Sequence, residues 1–194
     1  MIYPLPRHAD GRKASISDHF HSAADVKAGR AKRRHRGCDL MYWRPLLQRR
    51  GVRHPYQSAG YEVPPPAELG GYDVPVLATE LALVMLVQKL TTGWAVALRL
   101  EGGAGIVYHH VRGPMVSPGA FVPEGAPVAY VGGSPIGYGL WHLHLDRYPK
   151  VTAWVFDDLG RLGGGEEDPA PYLKGGRSLT LEEAWGGVGR TLAA

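Results

Sequence analysis

Seven short segments rich in β-branched and aromatic residues follow one another between Pro75 and Phe156, and they commit the chain to a β architecture. They are Pro75–Ala78, Glu80–Val87, Trp94–Leu100, Gly105–Val111, Ala126–Val131, Leu140–Leu145 and Val151–Phe156. Turn signals separate them: Thr92-Gly93, Glu101-Gly-Gly103, Pro118-Gly119, Glu124-Gly125 and Gly132-Gly133. This texture predicts an antiparallel sheet or sandwich with long loops and little helix. The 27 glycines and 16 prolines are spread along the chain, as frequent turns require, and are not gathered into a disordered tract.

Outside this block the sequence is less regular. Residues 1–30 are polar and mixed and read as an N-terminal arm, with a short strand around Ile16–Phe20. Residues 41–71 contain Arg44-Pro45, His54-Pro55, Pro64-Pro-Pro66 and Gly70-Gly71, and predict a long irregular loop with at most a helical turn near Pro45–Arg50. Loops of that length in a compact domain are usually functional or mobile. The tail after Gly160 ends in Leu179–Trp185, a predicted short helix with Thr180 as N-cap and Glu183 three residues on. The 194 residues suit one domain, expected over 31–174, with a C-terminal tail over 175–194.

Several function classes are excluded or weakened at this point. The single cysteine, Cys38, rules out an internal disulfide framework and a cysteine-based zinc cluster. The longest apolar stretch, Leu81–Val87, is too short to span a bilayer, so no transmembrane segment is expected. The first residues lack the apolar core of a secretory signal, which leads to an expectation of no signal peptide. A net charge of +4 and a pI near 9.2 suit a polyanionic partner such as an acidic wall polymer. Basic runs at Arg30–Arg36 and Arg44–Arg53 come without an RNA-binding signature or zinc finger, so nucleic acid is not the expected partner.

Three motifs carry chemistry. In Trp141-His142-Leu-His144-Leu-Asp146 the two histidines stand at i and i+2, on one face of a strand and roughly 7 Å apart. One imidazole can bind a metal while the other faces the water beside it, with Leu143 and Leu145 packing on the opposite face. In His35-Arg-Gly-Cys-Asp39, Gly37 and the basic flank argue against a helix, so His35 and Asp39 are placed on a loop running into an extended segment. Cys38, next to Asp39, should face the core. In Val107-Tyr108-His109-His110-Val111 the two histidines of a strand face opposite sides, so only one joins the site. Two imidazoles and a carboxylate are the ligand count of a catalytic zinc site that keeps a position open for water.

The order His-x-x-x-Asp, Tyr-x-His and His-x-His on a glycine-punctuated β chain resembles the lysostaphin/LytM type of zinc endopeptidase, peptidase family M23. Val74-Pro-Val-Leu-Ala78, the Val116–Gly132 hairpin and Asp168-Pro-Ala-Pro-Tyr-Leu173 extend the resemblance over about residues 16 to 174. The resemblance implies a mainly antiparallel β fold of the M23 type, with His35, Asp39 and His144 holding Zn2+. It makes His142 and His110 the catalytic imidazoles and points His109 away. It also implies a substrate, the peptide cross-links of bacterial peptidoglycan, and a phage lysin or virion-associated enzyme as the setting. That setting is the phage tail or the cytoplasm of an infected bacterium, with phage tail proteins as further partners.

Departures and rivals are specific. The stretch between Asp39 and Val74 is far longer than the family's usual link, and Leu145-Asp146 stands where Phe-Glu is usual. A D-Ala-D-Ala metallocarboxypeptidase would place a glutamate base where Gly139 stands. An iron oxygenase would leave His110 and His142 unexplained. A non-catalytic LytM-like wall-binding or tail component is the remaining alternative, against which stands the complete ligand set.

Overall fold

The computed structural model describes residues 1–7, 11, 13–42, 44–45, 61–62, 74–133 and 141–191. Alternation of apolar and polar residues, broken by glycine turns, folds the central part of these residues into strands. In chain order these are β1 (Ser15–Asp18), β2 (Cys38–Met41), β3 (Arg44–Pro45), β4 (Tyr61–Glu62), β5 (Pro75–Leu77), β6 (Ala82–Leu90), β7 (Gly93–Leu100), β8 (Gly105–Arg112), β9 (Phe121–Val122), β10 (Pro127–Gly133) and β11 (Trp141–Tyr148). Three helices, α1 (Ala23–Lys27), α2 (Ala170–Lys174) and α3 (Leu181–Thr191), complete the elements, with a 3-10 turn at Glu101–Gly103.

Among the described residues nine strands form one sheet in the order β1-β2-β11-β10-β8-β7-β6-β9, with β5 joined to β10 and all of these pairs antiparallel. The expected mainly β, antiparallel class is therefore what the chain adopts. β3 and β4 pair with each other, and most of the predicted 41–71 loop, including the helical turn near Pro45–Arg50, lies largely outside the described residues.

β11 changes neighbours along its length. Its residues 143–145 pair with β2 on one edge, and 144–148 pair with β8 on the other. Above them, Trp141 and His142 pair with Gly133 and Gly132 of β10. β8 makes the matching switch, leaving β11 after His109 and joining β10 at Val111.

Alternation divides the sheet into two faces. Cys38, Leu40, Leu143, Leu145, Tyr108, Ile106, Leu98 and Val96 pack in the main core, all buried. The other face carries Ala95, Ala97, Val107 and Tyr148 in a smaller cluster, covered by Val151, Trp154, Phe156 and Leu162. The expected strand Val151–Phe156 is not formed; only Phe156 makes an isolated bridge, to Leu162. Its apolar residues are spent on covering a sheet face, and side-chain burial of that kind selects the same residue types as a ladder does.

The chain ends pack together. Ile2 bridges Arg177 and donates its N–H to the Thr79 carbonyl, while Leu5 is buried. The predicted C-terminal capping box is present ahead of α3: Thr180 Oγ1 accepts from Glu183 N at 3.1 Å, and Glu183 Oε2 accepts from Thr180 N at 2.7 Å.

Candidate metal centre

The register of β2 against β11 sets Asp39 directly opposite His144, so their side chains leave the sheet on the same face. His35 reaches them from the bridge that pairs it with His21, four residues before Asp39. The turn between requires glycine: a Cβ on Gly37 would lie 2.1 Å from the Leu145 carbonyl oxygen and 2.5 Å from Asp146 Oδ1.

Three atoms converge. His144 Nδ1 lies 2.9 Å from Asp39 Oδ1, His35 Nε2 lies 3.4 Å from the same oxygen, and the two imidazole nitrogens are 3.2 Å apart. Each ring is held from behind. His35 Nδ1 donates to the His19 carbonyl at 2.8 Å, and His144 Nε2 donates to Asp146 Oδ1 at 2.8 Å. Both lone pairs are thereby aimed at Asp39, the arrangement in which an outer partner fixes a ligand's tautomer.

Three such atoms this close need a shared proton or a cation among them. A tetrahedral zinc with bonds of roughly 2.0–2.1 Å spaces its ligand atoms about 3.3 Å apart, so the set fits that ion. His35, Asp39 and His144 are also the metal-capable cluster among the described residues.

His110 and His142 stand beside this cluster. Their rings are 4.9 Å apart, the His110 ring is 5.8 Å from that of His144, and His142 Nε2 lies 4.0 Å from Asp39 Oδ1. His110 Nδ1 donates to the Thr92 carbonyl at 3.2 Å, which leaves Nε2 as its acceptor.

His109 departs from the expectation that it points away. It is buried opposite His144, its ring 5.5 Å from that residue's, and its Nε2 is 3.3 Å from Asp146 Oδ2. The β8–β11 register sets it there, and a bulge turns the next histidine to the same side. His110 has φ 59, in the left-handed region, where β8 changes partner and the β7–β8 register shifts. Consecutive histidines thereby reach the same side. Gly132 makes room for the distortion, since a Cβ there would be 2.1 Å from the His110 carbonyl oxygen.

Asp146 was legible but unused: His142, His144 and Asp146 stand at i, i+2 and i+4, so one strand face presents all three. Cys38, on the alternate face, is buried in the main core, and burial raises its thiol pKa.

The electrostatics follow from these contacts. Burial opposes charge on His144, but Asp146 and Asp39 outweigh it and hold the imidazole up at about 9. Burial also opposes charge on Asp39, yet hydrogen bonds from His144 and His35 hold it well below the usual carboxylate range. Burial, with His142 and His144 nearby, pushes His110 down to about 3.

A pH dependence follows. The folded His144 value lies above its ordinary 6.5, so in metal-free protein its stabilisation is complete below about 6.5 and lost as pH rises through about 9. Asp39 acts at the other end: its stabilisation is present above about 3.8 and lost as pH falls. A metal bound at His144 Nδ1 must displace the proton held there. Apparent zinc affinity should therefore climb about tenfold per pH unit from about 6.5 to about 9 and then level off. Competition titrations with a chromophoric chelator across that range check this; a flat profile would contradict it.

No family model and no curated protein sequence matches the chain. Solved structures do. A chain of the SpoIIQ–SpoIIIAH pore-forming complex is similar at 14% identity with a TM-score of 0.55, over 100% of this chain and 99% of that one. A putative glycyl-glycine endopeptidase, lytM, from Ruminococcus gnavus is similar at 22% identity with a TM-score of 0.53, over 92% of this chain and 62% of that one. A point mutant of the catalytic domain of the prophage-encoded M23 protein EnpA from Enterococcus faecalis is similar at 18% identity with a TM-score of 0.51, over 87% of this chain and 97% of that one. The chain has the antiparallel β fold of the lysostaphin-like M23 proteins that its motifs resemble.

Proposed function

We propose that the chain is a zinc endopeptidase that hydrolyses peptide cross-links of bacterial peptidoglycan. The observation that carries this reading is the convergence of His35 Nε2, Asp39 Oδ1 and His144 Nδ1 with both imidazole lone pairs aimed inward, next to a second histidine pair. Zinc at these three residues would supply a Lewis acid that polarises the scissile carbonyl and lowers the pKa of water.

The chain's own residues divide the remaining work. His110 stays neutral, with Nδ1–H tied to Thr92, and presents Nε2 as an acceptor that orients the attacking water. His142 takes the proton from that water and returns it to the leaving amine. His142 is buried and His110 partly so, which limits competition from bulk water at these rings.

The substrate class rests on likeness to the Ruminococcus gnavus endopeptidase and on the resemblance of the motifs. We place the enzyme with bacteriophages, as a lysin or a tail-borne wall-opening component, on the likeness to prophage-encoded EnpA and the chain's basic charge. A second reading, a non-catalytic wall-binding or assembly module, is favoured by the likeness to the pore-forming complex. The complete donor set argues against it.

The test is direct. Purified protein with zinc should clear a peptidoglycan suspension and release new amines, and chelator should stop both. His142→Ala should keep about one zinc per chain, a count that follows from its place outside the ligand set, yet lose about 10²–10⁴-fold in rate. Reducing sugar without new amines would mean glycan cleavage and sink the proposal, as would wall binding with no release at all. Mass spectrometry of the released muropeptides identifies the bond, and loss of a terminal D-alanine alone would mark a carboxypeptidase.

A further inference from the structure

Asp146 is fully buried, and a carboxylate in that position is costly unless donors surround it. Its two oxygens divide their partners. Oδ1 accepts from His144 Nε2 at 2.8 Å, while Oδ2 faces His109 Nε2 at 3.3 Å and the Tyr148 hydroxyl at 3.5 Å. Tyr148 in turn accepts from Arg36 at 3.4 Å, and Arg36 is anchored by the Leu162 carbonyl at 2.7 Å and by Glu166 at 3.2 Å. The backbone is shaped around the carboxylate as well, because Gly37 lacks the Cβ that would sit 2.5 Å from Oδ1.

We infer that Asp146 is a positioning residue of the metal centre: it locks His144 with Nδ1 facing His35 and Asp39, and the buried His109 ring packs against its second oxygen. This rests on the zinc reading above. A neutral imidazole has one N–H and one acceptor nitrogen. With the N–H committed to Asp146, the acceptor can point only toward the ligand cluster. The negative charge behind the ring also makes Nδ1 a better donor to a cation. His109, placed on the face of His144 by the β8–β11 register, is buried beside Oδ2. Two residues without a part in the bond-breaking step thereby acquire one in metal retention.

The experiment measures zinc affinity by chelator competition on purified full-length protein, together with the visible spectrum of the cobalt(II)-loaded form. Asp146→Asn keeps an oxygen that can accept from His144 but removes the charge. It should bind zinc about 10–100-fold more weakly and shift the cobalt bands. His109→Gln leaves Asp146 in place and removes its second partner, and it should weaken zinc by a smaller factor in the same direction. It also serves if Asp146→Asn does not fold. Melting of the metal-free proteins separates the roles: a purely structural part would lower melting while leaving zinc affinity and cobalt bands at wild-type values, and that result overturns the inference. If wild-type protein itself binds no zinc, the metal reading falls; if wild type binds and both variants match it, only this inference falls.

Discussion

Asp39→Asn protein should fold, bind no zinc and leave a peptidoglycan suspension turbid. The amide retains an oxygen that can accept from His144 and His35, whose nitrogens lie 2.9 and 3.4 Å from Oδ1, so packing is little disturbed. The anionic ligand is lost, however, and the affinity loss should exceed the roughly 100-fold typical of losing an outer partner. His144→Ala should be equally inactive but far less stable. It strips the fully buried Asp146 of its 2.8 Å donor and Asp39 of its 2.9 Å one. Breaking a buried pair from one side costs about 3–5 kcal/mol. The two variants together separate ligand loss from unfolding: zinc stoichiometry should fall in both, and the melting temperature of metal-free protein should fall much further in the second. Zinc retained at one per chain in Asp39→Asn would remove Asp39 from the ligand set.

Gly37→Ala is expected to be the most damaging of the small substitutions. Its Cβ would lie 2.1 Å from the Leu145 carbonyl oxygen, 2.7 Å from that carbonyl carbon and 2.5 Å from Asp146 Oδ1. Backbone cannot step aside as a flexible side chain can, so the strand pair carrying Asp39 and His144 must separate. Overpacking of this kind costs about 3 kcal/mol or more. In a domain of this size that lowers Tm by roughly 6–12 °C. Gly163→Ala is the matched control, since a Cβ there meets nothing within 4 Å. Thermal melts of the two should differ by nearly the whole effect; equal melts would show that β2 and β11 are not held as closely as their contacts indicate.

Sequence patterns revealed the site in proportion to how local its geometry is. Alternation alone placed His142 and His144 on one face and Cys38 in the core, because period two is a property of any strand. The pairing of Asp39 with His144 depends on a register between segments distant in sequence, which no local pattern encodes; the family resemblance supplied it. A strict period of two allows only one of His109 and His110 to face the site; His110 at φ 59, where β8 leaves β11 for β10, brings both to one side. Val151–Phe156 read as a strand because its β-branched and aromatic residues are those a strand uses, although here they cover a sheet face without joining the ladder. The arginines of 30–36 contribute to the net positive charge that suits a polyanion. Arg30, Arg33, Arg34 and Arg36 instead pair with Asp25, Asp18 and Glu166 within the chain. A sequence reports charges, not how they are matched.

The change of neighbours along β11 has an evolutionary consequence. His144 owes its place to β2 and β8, whereas His142, two residues away, is held at Gly132 of β10. If the proposed roles hold, metal capture and proton transfer would depend on different stretches of chain. On the proposed roles, drift in the segment around Gly132 would erase turnover while leaving the ion's cradle intact, whereas drift around Gly37 would remove the cradle and turnover together. A lineage with this architecture can pass from hydrolase to inert scaffold in separable steps, each leaving a folded protein on which selection can act.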